Sequence, residues 1–241
     1  MKLEVHVHTR YSKDSLLSLS ILYFRCRIKN IKWIAITEHN NIDGGIAFKK
    51  YCEKRGNKVN VIIGEEIFTN AGEIIGLYLK EKIPPQMSVE DTIRAIKSQN
   101  GVVYVPHPFD EKRKKTVLKY EEIEKNKEQI DCIEIHNGRN VKKDYSIKQE
   151  KIAENNNLLA VVGSDAHTWI EIGRNYLIVD HAPVNSIEFV NAIQDATLIK
   201  KECILLAHKI TKIAKGLKLV RKGKFDELCR IVITRIKRDK Y

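Results

Sequence analysis

The sequence predicts an α/β fold in which mostly parallel strands form a sheet or a barrel. Short runs rich in β-branched residues alternate with segments of helical periodicity through the first 196 residues. Strands that alternate with helices of this length are typical of βα units. The composition, 43% hydrophobic and 31% charged, agrees with an ordinary globular domain, and 241 residues suffice for one such domain with a small appendage.

Each element is predicted from its own pattern. The strands are L-E-V-H-V-H, W-I-A-I-T, V-N-V-I-I-G, V-V-Y-V, C-I-E-I and L-A-V-V-G. The helices are Ser15–Lys29, Gly45–Lys54, Val89–Gln99, Lys143–Asn155 and Ser186–Ala196. Ser88 is the expected N-cap of the third helix. The run Glu73–Leu79 follows the third strand without an intervening helix, so we expect it to pair with that strand as a hairpin.

The positive charge is concentrated towards the C-terminus. The net charge is +12, and residues 197–241 hold fourteen Lys or Arg against four Asp or Glu, which amounts to +10. We therefore expect a main domain, residues 1–197, and a basic helical extension, residues 198–241, with two amphipathic helices that break at Gly216 and Gly223. The extension could bind nucleic acid, an anionic membrane surface or an acidic partner, or it could be a solvated face with no partner.

The cysteines and the hydropathy pattern indicate a reduced, cytoplasmic protein. The five cysteines are scattered, odd in number and without a C-x-x-C pair, which argues against a disulfide framework or a thiolate metal site. Met1 leads directly into a strand-like run, and no run approaches the eighteen or so apolar residues of a membrane span. We expect a cytoplasmic location and no transmembrane segment.

Ionisable side chains gather where the predicted strands end. His6 and His8 stand two apart, so they point to the same side of the sheet. The others at or just past strand ends are His39, Glu65, Glu66, His107, His136, Asn137, Arg139, Asp165 and His167. In a parallel barrel this end is the active-site face. Each residue alone is a weak signal, but imidazoles and carboxylates that converge without thiolates suit catalytic zinc, manganese or iron.

Five segments together resemble the ordered motifs of the polymerase and histidinol phosphatase (PHP) family. They are H-V-H-T-R-Y-S-K-D-S, T-E-H-N, G-E-E-I, V-P-H-P-F and G-S-D-A-H-T. The resemblance implies a distorted seven-stranded β/α barrel, similar to a TIM barrel, with two or three divalent metal ions that serve phosphoester hydrolysis. It implies nine metal ligands: His6, His8, Asp14, His39, Glu65, Glu73, His107, Asp165 and His167.

The resemblance also distributes these ligands among three metals. The first would be held by His6, His8, Glu65 and Asp165. Glu65 would bridge to a second metal, which Glu73 and His107 complete. The third would be held by Asp14, His39 and His167.

Some positions depart from the family pattern. Glu4 and Glu38 replace the usual Asp, and Glu73 stands where several relatives carry His. A carboxylate at position 73 favours manganese or iron over zinc. His136 stands where relatives often carry an aromatic residue, and we expect it to pack or to contact solvent.

A cluster of this composition suits the hydrolysis of a phosphate ester. Three divalent metals, four carboxylates and a bridging hydroxide would leave a charge of about +1, which attracts phosphate, and metals about 3.5–4 Å apart generate hydroxide at neutral pH. No Ser or Cys nucleophile is then needed, and the sequence has no G-x-S-x-G elbow. The catalytic candidates are Asp165, His167 and Arg139. The candidates for gripping the substrate phosphate are Arg10, Lys13, Arg139 and Arg174.

Three functions remain open at this point. The leading one is a metal-dependent phosphoesterase whose metal-bound hydroxide attacks a phosphomonoester: a small metabolite, a nucleotide or a phosphotyrosine. A nuclease would hold DNA or RNA through the basic extension, although the main domain lacks a basic stripe with interleaved aromatic residues. A non-catalytic domain would keep the metals for stability or bind a partner, which the complete set of ligands argues against.

Overall fold

Nine strands form one sheet in the computed structural model, which describes residues 1–110, 113 and 115–227. The strands are β1 Lys2–Val7, β2 Ile31–His39, β3 Asn60–Thr69, β4 Gly72–Leu77, β5 Val102–Val105, β6 Cys132–Asn137, β7 Leu159–Gly163, β8 Tyr176–Ile178 and β9 Thr197–Ile199. All seven strands expected from the sequence are present. The two that the sequence does not predict, β8 and β9, have three residues each, too few to show an alternating pattern.

The sheet nearly closes into a barrel. Its strand order is β7-β6-β5-β4-β3-β2-β1-β8-β9. The strands β1 to β3 pair in parallel, as do β5 to β7, and β4 is antiparallel to both of its neighbours. A bridge between Val7 and Ala166 brings β1 to the end of β7, where the His8 N–H donates to the Ala166 carbonyl at 2.8 Å. This architecture confirms the predicted fold class.

The helices of the described chain follow the expected alternation. They are α1 Leu19–Lys29, α2 Asp43–Glu53, α3 Val89–Ser98, α4 Tyr120–Asn126, α5 Asp144–Asn155, α6 Ser186–Gln194 and α7 Leu205–Arg221. Ser88 caps α3 as predicted, since its hydroxyl accepts from the Asp91 N–H at 3.1 Å. The first helix begins later than Ser15 because the Ser15 hydroxyl donates to the His167 carbonyl at 2.8 Å instead of capping a helix. None of these described helices is both long and apolar enough to cross a membrane.

The helices α1 and α2 cover the sheet beside β1 and β2. Leu22 of α1 and Phe48 of α2 are fully buried in one apolar cluster with Ile34 and Ile36 of β2. A larger cluster joins the remaining strands to α3 and α6. Burial of apolar side chains between the helices and the sheet holds the helices in place. The packing fixes the ends of the strands, and with them the polar residues that follow.

The C-terminal helix α7 lies against the loop that follows β1. The Lys218 amine donates to the Arg10 carbonyl at 2.6 Å and to the Ser12 carbonyl. The helix is continuous through Gly216, so the predicted break there is wrong. Burial of Ala214 and Leu219 on either side offsets the roughly 1 kcal/mol that a helical glycine costs.

The predicted extension is only partly described. Its first residues belong to β9, which pairs with β8, so the expected boundary at residue 197 falls within a strand. The helix α7 ends at Arg221, and Gly223 follows it with φ of 66°. Residues 228–241 of the extension lie outside the described residues.

Candidate metal centre

His6 of β1, His8 directly after that strand and one aspartate after β7 begin the cluster. His6 and His8 face the same side because side chains alternate along a strand, and both are fully buried. Asp165 follows β7 with φ of 48°, an uncommon backbone conformation outside glycine. Its Oδ1 lies 3.7 Å from His6 Nε2 and 3.4 Å from His8 Nε2.

Glu66 of β3 is the carboxylate that connects the histidines of different strands. It lies in register beside His39 of β2, with its Oε2 2.8 Å from His39 Nδ1. The same oxygen is 3.4 Å from His8 Nε2, and Glu66 Oε1 is 3.0 Å from His107 Nε2. Glu66 therefore holds the central position in the cluster.

Glu65 does not reach the cluster, which corrects the position expected from the sequence. Successive side chains of β3 point to opposite faces, so Glu65 and Glu66 cannot share one. Glu65 Oε2 accepts a hydrogen bond from the Ile83 N–H at 2.8 Å on the other face of the strand. The motif G-E-E-I is correctly placed, but its second glutamate faces the histidines.

Glu73 reaches the cluster from β4. Because β4 is antiparallel to β3, its first residues lie at the same edge as the last residues of the parallel strands. Glu73 Oε1 is 3.9 Å from His39 Nδ1, and its Oε2 is 3.6 Å from His107 Nε2. The hairpin expected from the sequence therefore carries a carboxylate to the same site.

Asp14 and His167 complete the cluster on its more open side. Asp14 Oδ1 is 3.3 Å from His167 Nε2, and Asp14 Oδ2 is 3.5 Å from His39 Nε2. The ring of His8 lies between the rings of His39 and His167, with centroid distances of 4.4 Å and 4.2 Å.

Three groups of ligand atoms lie close enough to hold a metal ion. They are His8–His39–His167, His6–His8–Glu66 and His39–Glu66–Glu73, and within each group the ligand atoms lie within 4.8 Å of one another. The structure thus brings together eight of the nine expected ligands, with Glu66 in place of Glu65.

A buried carboxylate that the sequence analysis did not single out orients two of the histidines. Glu134 of β6 accepts from His6 Nδ1 at 3.0 Å and from the His107 N–H at 2.7 Å, and the Tyr104 hydroxyl also donates to it. A hydrogen on Nδ1 leaves the Nε2 lone pair of His6 free to point into the cluster. Carboxylates of this kind fix the tautomer of ligating histidines. The sequence signal was an acid inside the apolar run C-I-E-I.

Glu38 performs a similar role for His8 through a serine. The Ser12 hydroxyl donates to Glu38 and accepts from the His39 N–H at 3.1 Å. His8 Nδ1, 3.2 Å from that hydroxyl oxygen, is therefore the donor to it. The Nε2 lone pair of His8 is again left facing the cluster. The Glu that replaces the family's Asp at position 38 supports a ligand instead of being one.

His167 is held by its neighbours in the same way. Its Nδ1 lies 2.8 Å from the Asp165 carbonyl oxygen, an acceptor only, so Nδ1 carries the hydrogen. Its backbone N–H donates to Glu171 at 3.0 Å. The remaining departure, Glu4, stays out of the cluster, where it accepts from the Gly173 N–H at 3.1 Å.

The arrangement fits bound cations. Among the described residues, buried atoms without a hydrogen-bond partner concentrate here: His6 Nε2, His8 Nε2, Asp14 Oδ1, Glu66 Oε2 and Asp165 Oδ1. Buried polar atoms are rarely left unpaired because each costs free energy. All five are imidazole nitrogens or carboxylate oxygens, atoms that can donate a lone pair to a divalent cation, and the set of N and O ligands suits zinc, manganese or iron.

The electrostatics of the cluster favour positive charge. Burial alone lowers the pKa of His6, but the nearby Asp165 and Glu134 outweigh it and raise that pKa to about 10. Burial, reinforced by the charge of Glu66, raises the pKa of Glu73 to about 8. The raised pKa values of His6 and Glu73 both result from several carboxylates lying close together in a site shielded from water. The same field stabilises a bound metal ion.

His8 behaves in the opposite way. Burial, together with the charges of the neighbouring His167 and His39, lowers its pKa to about 3. A neutral imidazole is the form that binds metal. His8 is therefore prepared as a ligand at neutral pH.

Two arginines border the cluster. Arg113, which the sequence analysis did not single out, donates to Asp165 Oδ2 and, at 3.1 Å, to Asp110. The side chain of Arg139, a predicted catalytic residue, donates to the Thr211 hydroxyl at 2.9 Å and has its Nε 3.7 Å from Glu171. Arg113 is thus closer to the expected ligands, and Arg139 connects the barrel to α7.

The other predicted phosphate contacts and His136 are not part of the cluster. Arg10 and Lys13 are exposed in the loop after β1. Arg174 points away, with its guanidinium on the Glu202 carbonyl at 3.0 Å. His136 contacts the Ser146 hydroxyl at 2.7 Å and the Lys201 carbonyl at 3.1 Å, so it packs outside the cluster as expected.

A cavity of about 580 Å³ opens onto the cluster, and we call it the metal-centre cavity. Its acidic and imidazole lining residues are Asp14, His39, Glu73, Asp110, Asp165, His167 and His208, and its basic ones are Lys13, Arg113, Arg139, Lys209 and Lys212. The last two belong to α7, which forms one wall. Its volume is that of a small-molecule site.

The fold and this site define a class, the α/β barrels with a cluster of metal-ligating residues at the C-terminal ends of their strands. The chain belongs to the PHP domain family, whose model matches residues 4–232. The match includes α7 as well as the barrel.

Two relatives come from the archaeon Methanocaldococcus jannaschii, and both are uncharacterised proteins. One is 33% identical over 180 residues, which cover 73% of this chain and 70% of the relative. The other is 42% identical over 119 residues, which cover 45% of this chain and 68% of the relative.

Solved structures share the fold. A two-domain protein from Bacteroides vulgatus, described as containing a predicted PHP-like metal-dependent phosphoesterase, has a TM-score of 0.67 at 18% identity. The similarity covers 82% of this chain and 64% of that protein, so this chain spans less than two thirds of it. PsfC from Pseudomonas syringae has a TM-score of 0.63 at 15% identity, with coverages of 91% and 98%. At these identities the likeness concerns the fold alone.

Proposed function

We propose that this protein is a metal-dependent phosphoesterase that hydrolyses a phosphomonoester of a small molecule. One observation carries the proposal: buried imidazole and carboxylate atoms without hydrogen-bond partners converge in a cluster, and Asp14 and Asp165 of that cluster line a cavity that also presents cations. Bound divalent metals would supply Lewis acidity and activate water at neutral pH. The ligands would be His6, His8, Asp14, His39, Glu66, Glu73, His107, Asp165 and His167. The carboxylate at position 73 favours manganese or iron.

The surrounding side chains support phosphate chemistry. Arg113 and Arg139 line the metal-centre cavity, and their guanidinium groups match phosphate oxygens. His167 reaches the same cavity, and its Nε2 faces Asp14 at 3.3 Å, so either can exchange a proton with a leaving group. Lys13, Lys209 and Lys212 add further positive charge to the lining of this cavity.

Three of the described cysteines do not compete with this assignment as nucleophiles. Cys26, Cys52 and Cys132 are buried, and burial raises the pKa of each thiol. A protonated buried thiol is a poor nucleophile. Water is therefore the better candidate for the nucleophile of the hydrolytic reaction.

The test is hydrolysis of p-nitrophenyl phosphate by full-length protein loaded with Mn²⁺. We expect turnover that chelation abolishes and metal restores. Asp165→Asn should lower kcat/KM by at least about a hundredfold, since it weakens a ligand and an acid–base candidate together. Exposed Glu154→Gln serves as the matched control. No turnover with Mn²⁺, Fe²⁺ or Zn²⁺ on any phosphomonoester would refute the proposal.

A nuclease is the second candidate, because α7 carries five Lys or Arg and no Asp or Glu, and two of them, Lys209 and Lys212, line the metal-centre cavity. A short single-stranded oligonucleotide tests it directly. Cleavage at a rate comparable to the aryl phosphate, lost in a chain that ends before residue 198, would favour the nuclease. The small volume of the cavity favours the phosphomonoester.

A further inference from the structure

A second cavity, of about 560 Å³, lies beside the metal-centre cavity. Its cationic lining residues are Arg10, Lys13, Lys82, Lys218, Arg221 and Lys222. Within the described chain, Asp43 is the one acidic residue among its lining residues. We call it the basic cavity. Such an excess of positive charge favours an anionic occupant.

The cations of the basic cavity come from three separate parts of the chain. Arg10 belongs to the segment after β1, Lys82 to the segment between β4 and α3, and Arg221 to the end of α7. The cavity is therefore more than the solvated face of one basic helix. The tertiary fold brings like charges together, and their mutual repulsion costs free energy unless an anion is bound.

Three of these charges form no direct ion pair in the part of the chain that the structure describes. Within the described residues, no salt bridge joins Lys82, Arg221 or Lys222 to an acidic side chain, whereas the nearby Lys224 lies 3.7 Å from Glu227. The Lys218 amine is occupied by the Arg10 and Ser12 carbonyls and holds α7 in place. The other cations remain available to a ligand.

The basic cavity and the metal-centre cavity share part of their lining. His39 and Lys13 line both. His39 also lies within 2.8 Å of Glu66 at the centre of the metal cluster. A single small molecule that is bound at the cluster can therefore extend past His39 into the basic cavity.

We propose that the basic cavity binds a second anionic group of the substrate, on the far side of His39 from the phosphate that is hydrolysed. This inference rests on the proposed function and narrows the substrate to small molecules with two anionic groups. The second group is a phosphate or a carboxylate, since ammonium and guanidinium donors bind both. The helix α7 then serves as a specificity element of the barrel.

The test measures binding without turnover. Linear alkane bisphosphonates of increasing chain length, the corresponding carboxyalkylphosphonates and the matched alkylphosphonates are titrated into Mn²⁺-loaded full-length protein by calorimetry. At one chain length we expect a dianionic ligand to bind about tenfold more tightly than its matched alkylphosphonate, a modest value for a charge-assisted contact. Comparing the affinities of the bisphosphonates and the carboxyalkylphosphonates shows whether the basic cavity prefers a phosphate or a carboxylate as the second anionic group.

Variants locate the second contact. Lys82→Ala and Arg221→Ala remove exposed charges that two separate segments of the chain contribute to the basic cavity. Each should abolish most of the tighter binding of the dianionic ligand. Arg221→Lys should retain most of it. Lys215→Ala is the matched control, because Lys215 belongs to α7 but lines neither cavity.

Several outcomes would overturn the inference. One is that neither dianionic series binds more tightly than the matched alkylphosphonates at any chain length. Another is that the tighter binding persists in both alanine variants and so comes from the metals alone. Tight binding that only an oligonucleotide shows would also reject a small substrate. Because phosphonates are not hydrolysed, binding is read independently of turnover. If the protein had no aryl phosphatase activity, the proposed function would be refuted, but the measured binding of dianionic ligands would remain valid.

Discussion

Glu65 and Glu66 are adjacent in sequence, yet the pleat of β3 separates them completely. Glu66 touches three histidines, whereas Glu65 binds the Ile83 N–H on the opposite face. The motif G-E-E-I offers both acids equally. The register of β3 against β2, which sets Glu66 beside His39, decides between them.

This difference predicts contrasting effects of two isosteric substitutions. Glu66→Gln should lose at least one equivalent of bound manganese, because an amide is a weaker ligand than a carboxylate. Glu65→Gln should keep the wild-type content, since its amide oxygen still accepts from Ile83. Elemental analysis after reconstitution measures both, and equal metal loss in the two variants would contradict the assignment.

Glu134 acts on the ligands rather than on the metals. It accepts from His6 Nδ1 and from the His107 N–H. Glu134→Gln keeps an acceptor but removes the charge that strengthens His6 as a ligand, so metal affinity should fall about 10–100-fold. Manganese titration measures the dissociation constant, with exposed Glu154→Gln as the control. An unchanged affinity would show that Glu134 only fills space.

At the scale of elements, the close approach of β7 to β6 holds Glu134 in place. Gly163 ends β7 directly against this carboxylate, and a Cβ on Gly163 would lie 1.7 Å from Glu134 Oε1. No side chain fits there without moving the carboxylate. The glycine at the end of L-A-V-V-G therefore contributes to the metal site without touching it.

Gly163→Ala should accordingly displace Glu134 and weaken metal binding by at least about tenfold. Gly45→Ala is the matched control, because a Cβ at Gly45 would meet its nearest neighbour at 3.4 Å, an ordinary contact. Manganese titration and circular dichroism separate a local effect from unfolding. Normal affinity in Gly163→Ala would mean that β6 and β7 can part without consequence.

The helix α7 is held on the barrel partly by one lysine. Lys218→Met removes the hydrogen bonds to the Arg10 and Ser12 carbonyls, which should lower the opening free energy of α7 by about 1 kcal/mol. Hydrogen exchange of residues 205–221 measures it, and Lys215→Met is the control on the same helix. Equal protection in both variants would place the attachment of α7 elsewhere.

At the scale of the whole molecule, the barrel buries several acids whose negative charge is unfavourable away from water. Burial raises the pKa of Glu4 and of Glu65 to about 7, and burial together with Glu66 raises that of Glu73 to about 8. These groups bind protons more tightly in the folded state than in the unfolded state. Their stabilising contribution is therefore lost as the pH rises through these values.

The melting temperature of the metal-free protein should consequently fall between about pH 6.5 and pH 8. The raised pKa of His6, about 10, acts in the same direction over this range. Manganese at saturating concentration should raise the melting temperature by several degrees, because it binds only the folded state. Calorimetry with and without chelator measures both effects. A metal-free protein that is more stable at pH 8 would contradict this account.

The sequence by itself determined the alternating elements, the barrel class and the strand ends that carry His6, His8 and Asp165. These depend on local periodicity and on the rule that parallel strands end at one edge. Only the tertiary structure decided that Glu66 faces the cluster, that Glu134 orients His6 and that Arg113 approaches Asp165. It also decided that α7 places its cations beside the metal centre. Strand register, side-chain rotamers and helix docking depend on contacts between residues far apart in the chain, which no local pattern encodes.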